Sequence, residues 1–187
     1  SFPVVDPAKR TSRDFIGDVA LSPDGRLIYA AELFQNSIAV INPQSGMVID
    51  RFKTGRRPYR ILFNPDGKTF FVSCWADGMV LEQEAESGAI QAKFMLAPHP
   101  TDMVWAPGAP RPALEEETSP YVARVFVAAS NTNGIRVLGV TASGEVRVSE
   151  AVNLALTPYQ PAGMTPAALS YDPASKRVYI ACADENA

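Results

Sequence analysis

The sequence predicts an all-β protein, a β-propeller of four-stranded antiparallel blades. Three observations carry this. Markers recur at one offset of 42 residues: Pro23-Asp24-Gly25 returns as Pro65-Asp66-Gly67, Ser45-Gly46 as Ser87-Gly88, and Pro58 as Pro100. Short runs rich in β-branched and aromatic residues (RLIYAA, TFFVSC, RVFVAA, RVYIAC) recur between turn signals, which is strand chemistry. No long apolar pattern of period 3.6 appears. Four short strands every ~42 residues is blade spacing. One such sheet cannot bury both faces alone, so neighbouring blades must stack.

The elements follow in order. The first blade spans about 15–53, with strands near 15–22, 26–32, 36–42 and 47–53. The second spans about 58–94, and its loop around Asp77-Gly78 is read as one residue short. The third spans about 100–150 and is interrupted by a Pro-rich, acidic stretch over 108–120, GAPRPALEEETSP, an expected exposed loop. The fourth begins at 166 and runs to 187. Tyr29, Phe71, Phe126 and Tyr179 fall at matching positions, an aromatic column expected to pack between blades. With insertions set aside the chain holds about three and a half blades, whereas propellers close with roughly 4–8. A half-finished blade leaves an open edge. The single domain over 1–187 is therefore expected to be a partial propeller, a fragment of a seven-bladed one, or to draw its missing blades from another chain.

Composition narrows the function classes. The 187 residues carry a formal net charge of −3, with 47% hydrophobic and 20% charged residues, an ordinary globular balance. No basic footprint invites nucleic acid, and no apolar run reaches the ~18 residues of a membrane helix. Two cysteines are too few for a disulfide scaffold or a four-cysteine zinc site. Cys74 and Cys182 occupy one repeat position two blades apart, so both are expected to be free and either buried or near the channel.

The stretch SPDGRLIYAAELFQNSIAVINPQSGMVIDRFKTG resembles the YVTN-type propeller repeat. Pro58, Pro100 and Pro166 match its leading proline, with Ile16 in that place in the first copy. Asn36, Asn133 and Asn186 match its asparagine, and Ser45-Gly46, Ser87-Gly88 and Ser143-Gly144 its last turn. The stretches GRRPYRILFNPDGKTFFVSCWADG, APHPTDMVWAP and LTPYQPAGMTPAALSYDPASKRVYIACADENA further resemble the propeller that precedes an alkaline-phosphatase-like phosphoesterase domain in bacterial two-domain proteins. That resemblance implies hydrolytic chemistry outside these residues and a periplasmic or extracellular bacterial location.

The residues themselves offer no catalytic constellation. The single histidine, His99, cannot build a multi-histidine metal site, and it reads most simply as a turn residue. Asp102 lies three residues on, a spacing that proves nothing in a proline-bounded turn. Arg57, Tyr59 and Arg60 lead into the inner strand of the second blade, and Trp75 follows that blade's second strand. Propellers bind ligands where loops converge on the axis, and a guanidinium fork suits carboxylate or phosphate. Arg57, Tyr59, Arg60, Trp75, His99 and Asp102 are therefore the candidate ligand contacts at the channel mouth. Arg56 and Arg57 equally suit a solvated turn. The acidic run Glu115-Glu116-Glu117 reads as a solvated loop, with partner docking as the alternative. No catalytic residue, metal ligand or cofactor is predicted. The expected partners are the missing blades or a downstream domain, and a protein or small anionic ligand.

Three function classes follow. The first is a non-catalytic binding or scaffolding propeller. The alternative is a lactonase-like hydrolase acting at the central channel, which needs polar groups or a metal converging on the axis. A redox-cofactor propeller is third, and the lack of axial histidines weighs against it.

Overall fold

Strands form where the sequence alternates or runs apolar between turn residues, and hairpin turns join each to the next. The computed structural model describes residues 4–108, 119–157 and 163–183. Asn186 and Glu115-Glu116-Glu117 lie outside them. After a single 3₁₀ turn, Pro7–Lys9, comes the first sheet: β1 (Ile16–Leu21), β2 (Ile28–Glu32), β3 (Ser37–Asn42) and β4 (Met47–Lys53), paired in that order. The second sheet is β5 (Pro58–Phe63), β6 (Thr69–Cys74), β7 (Met79–Glu84) and β8 (Ile90–Met95). The third is β9 (Pro100–Pro107), β10 (Tyr121–Ala129), β11 (Gly134–Thr141) and β12 (Val146–Asn153). β13 (Pro166–Asp172) and β14 (Arg177–Cys182) pair as the start of a fourth. All pairings between consecutive strands whose register is described are antiparallel. The chain is thus an all-β partial propeller with three complete blades and the first two strands of another.

The loop in the second blade is not short. Residues 33–36, 75–78 and 130–133 each join the second and third strands of a blade, four residues apiece. Gly78, at φ +66, occupies the left-handed position that Asn36 holds at φ +55. Both residue types tolerate that conformation, which is why glycine replaces asparagine without shortening the loop.

The contacts divide the chain into two units, Ser1–Pro100 and Thr101–Ala187. In the first, one face of the first blade (Tyr29, Ala31, Ile38, Val40, Phe52) packs on one face of the second (Ile61, Phe70, Val72, Cys74, Leu81). Tyr29 meets Phe63 edge-on at 4.9 Å and Phe70 at 5.4 Å, and its hydroxyl donates to the Ala85 carbonyl at 2.7 Å. Each large apolar side chain so buried contributes about 1.5–3 kcal/mol. In the second unit Phe126, Ala128, Ile135 and Val137 pack on Leu169, Tyr171, Val178 and Ile180. Two members of the aromatic column, Tyr29 and Phe126, therefore lie between blades of their own units. Tyr179 does not: it is 54% exposed. Strand alternation turns it away from Val178 and Ile180, to a face of β14 on which no described strand packs.

A second device ties blade to blade. The register of β1 against β2 shifts between Ile16 and Val19, and this irregularity re-aims Asp18. Its carboxylate accepts from the Ile61 N–H at 2.8 Å and from the Arg60 guanidinium at 3.3 Å. Asp102, at the same repeat position in the second unit, accepts from the Leu169 N–H at 2.7 Å.

Two outcomes are expected. Asp18→Ala strands the Ile61 N–H and should destabilise by about 1–3 kcal/mol, read by urea denaturation. Gly88 holds φ +69, and a Cβ there would come within 2.1 Å of the Phe52 ring. Gly88→Ala should therefore cost roughly 2–4 kcal/mol by overpacking and left-handed strain together. An unchanged denaturation midpoint would contradict either claim.

Candidate functional site

The residue preceding each leading proline is strained. Arg57, His99 and Thr165 stand at φ +55, +54 and +46. A left-handed residue other than glycine costs ~1–2 kcal/mol, and a following proline ordinarily drives its neighbour to extended backbone. Neighbouring loops hold the conformation in place. The Arg57 N–H donates to the Asn36 side-chain oxygen at 2.9 Å, and the Trp75 N–H donates to the Arg57 carbonyl at 3.0 Å. In the second unit the Asn133 side-chain oxygen accepts from the Gly163 and Met164 N–H groups at 2.9 and 3.0 Å. The Ala183 N–H donates to the Thr165 carbonyl. The repeat asparagines are therefore clips for the strained segment of the next blade.

This geometry assembles a chain of side chains at one end of the first unit. The Arg57 guanidinium lies 5.6 Å from the Phe34 ring centre and 5.3 Å from the Trp75 ring. Trp75 in turn stacks on His99, with ring centres 4.0 Å apart and planes inclined by 19°. Each cation–π contact is worth roughly 0.5–1 kcal/mol at exposed sites. Arg57 is exposed, whereas Trp75 and His99 are half-buried. Beside the stack opens a cavity of about 450 Å³, lined by Trp75, Asp77, Met95, Leu96, Pro98 and His99. Its carboxylate, Asp77, is engaged with Arg56: the backbone N–H at 2.6 Å and the guanidinium at 2.5 Å. Partial burial works against ionisation there, but the two Arg56 contacts prevail and hold the Asp77 carboxyl below its ordinary range. Among the described residues Arg57, unlike Arg56, has no ion pair with a carboxylate.

Of the six candidate contacts, Arg57, Trp75 and His99 come together. Arg60 instead binds Asp18. Asp102 accepts from Leu169 and serves the sheet. Tyr59 is exposed on β5. Phe34 was missed. Its place in the 33–36 loop, which equals 75–78 in the repeat, was the signal that would have found it. Cys74 and Cys182 are both buried. Among the described residues no three His, Cys, Asp or Glu side chains gather to hold a metal ion, and no helix is long and apolar enough to cross a membrane.

No family model and no curated protein matches the chain. Solved structures do. One, from Bacteroides uniformis and assigned as a 6-phosphogluconolactonase, superposes with a TM-score of 0.69 at 19% identity, over 96% of this chain and 51% of that one. A second of the same assignment, from Bacteroides fragilis, gives 0.67 at 18% identity over 97% and 51%. Hydrazine synthase of Kuenenia stuttgartiensis gives 0.67 at 15% identity over 91% and 43%. The likeness is one of fold, and the chain spans about half the length of these structures or less.

Cys74 yields a test of the buried environment. Burial pushes its thiol up to about 12, against a smaller downward pull from the Gly55 backbone. At pH 8 only about one molecule in ten thousand then carries the reactive thiolate. Iodoacetamide at pH 8 should leave Cys74 unmodified in the folded protein and alkylate it in urea, as peptide mass spectrometry would read. Labelling at equal rates in both states would contradict the burial.

Proposed function

We propose that the chain is a non-catalytic binding propeller that takes a small anionic ligand at the Arg57–Trp75–His99 stack. The single observation that carries this is an exposed guanidinium, held over an aromatic shelf by a strained backbone, beside a cavity of about 450 Å³. A preformed cation and a flat apolar surface give orientation and affinity without acid–base chemistry. The resemblance to propellers that precede a phosphoesterase domain supports a module carried by an exported bacterial protein, with any hydrolysis performed elsewhere in that protein.

The second reading is a lactonase-like hydrolase. It is favoured by the two Bacteroides structures assigned as 6-phosphogluconolactonases. Both readings accept an anionic sugar acid, so 6-phosphogluconate is the probe for titration calorimetry. Saturable binding is expected, weakened about tenfold by Arg57→Ala, the worth of one charge-assisted contact. Trp75→Ala should weaken it further by removing both the shelf and the Arg57 support. Hydrolysis of the lactone above the spontaneous rate, lost in Arg57→Ala, would replace the first reading with the second. Binding unchanged in both variants would remove the stack as the site.

A further inference from the structure

The two units repeat one groove with different chemistry. In each, the wedge between successive blades opens at the end of the sheets that carries the turns after the first strand. In the first unit this groove has about 650 Å³ and is lined by five carboxylates, Asp24, Asp50, Asp66, Glu84 and Glu86, against Arg26 and Lys68. In the second unit the equivalent groove has about 660 Å³, and among the described residues its lining holds no carboxylate and two cations, Arg124 and Lys176. The swap is traceable by repeat position. Tyr29 corresponds to Phe126, so Leu27 of the first groove becomes Arg124 in the second. By the same register Phe70 becomes Val178.

Arg124 is poorly served where it stands. Its guanidinium lies over the Phe126 ring at 5.0 Å. One terminal nitrogen reaches Glu150 on the outer strand at 3.4 Å. Its Nε is buried with no hydrogen-bond partner among the described residues. A buried donor without an acceptor is unfavourable unless something arrives to satisfy it. The walls around it are apolar: Phe126, Tyr171, Val178 and Ile180. The volume lies within the ~300–1,000 Å³ range of small-molecule sites.

We propose that this groove binds an amphipathic carboxylate, with the anionic head on Arg124 and Lys176 and the apolar body along Phe126, Tyr171, Val178 and Ile180. Charge complementarity selects an anion, and the apolar walls select one with a hydrocarbon or aryl body over inorganic phosphate. The site is separate from the Arg57–Trp75–His99 stack and does not depend on it.

The probes are octanoate and its uncharged counterpart 1-octanol, titrated into the full chain by calorimetry and by methyl NMR. Octanoate should bind saturably and shift the Val178 and Ile180 methyl signals. Arg124→Leu, which restores the residue that the first groove carries, should weaken octanoate at least tenfold while octanol changes less than about twofold. Arg124→Lys should retain most of the affinity. Val178→Phe, again the residue of the equivalent position, should abolish both by filling the groove. The octanoate-induced shifts of the Val178 and Ile180 methyl signals should persist in Arg57→Ala, which separates this site from the stack. Equal affinity for octanoate and octanol, or octanoate affinity unaltered in Arg124→Leu, would overturn the proposal. So would binding that appears only after Glu115, Glu116 and Glu117 are replaced by Gln, since the groove would then belong to the chain's own acidic stretch.

Discussion

Within each unit two blades meet through apolar faces, so one sheet must be held against the other in a fixed register. Apolar burial supplies most of the free energy but is non-directional. The direction comes from a carboxylate. Asp18, turned outward by an irregularity in β1, accepts the Ile61 N–H of the neighbouring inner strand, and Asp102 does the same for Leu169 in the second unit. An inner strand already paired on one side has free N–H groups on the other. One aspartate on the adjacent blade satisfies such a group and fixes the lateral position of the joint. Tyr29 to the Ala85 carbonyl and Gln83 to the Lys53 carbonyl add further fixed points. With the joint set, Phe52 can lie over Gly88, and the aromatic cluster closes.

Once the joint is guaranteed by a few positions, the others are free to diverge, and the divergence carries the chemistry. The last residue of the second strand is Glu32, Cys74, Ala129 and Cys182 in successive copies. Glu32 accepts hydrogen bonds from Ser37 and Arg51 inside the sheet, whereas Cys74 at the same place is a buried apolar filler. Leu27 and Arg124 are the same contrast on the groove side. A repeat therefore supplies its own control: where two copies share backbone and volume but not side chains, the difference is not needed for folding.

Much of the architecture was legible in the sequence, for a physical reason. Period-two patterning and proline or glycine turns are local, and a fixed offset needs only arithmetic. The strands of the first blade lie within about two residues of those expected. The loop around Asp77-Gly78 reads as short when asparagine is the marker, because glycine at 78 fills the left-handed position that Asn36 holds, whereas in the third blade Asn131 rather than Asn133 has positive φ. The site was legible in part. Arg57, Trp75 and His99 share one end because the residue before a leading proline and the loop after the second strand always do. Arg60 and Asp102 looked like their companions only because they are near in sequence. Both sit two residues into an inner strand, where they face the adjoining blade rather than the end of the sheet.

The strain at Arg57, His99 and Thr165 binds these observations together. A backbone conformation that is unfavourable at three equivalent positions persists only where the surroundings over-determine it. At Arg57 and beside Thr165 the asparagine clips do so, against the extended backbone that the following proline favours. The consequence differs with the side chain. Threonine at 165 puts no charge or ring at its position. Arginine at 57 and histidine at 99 are carried onto Trp75, one as a cation and one as a stacked ring. The repeat provides the rigid, preorganised position, and the residue placed in it decides whether that position is merely structural or part of a binding surface.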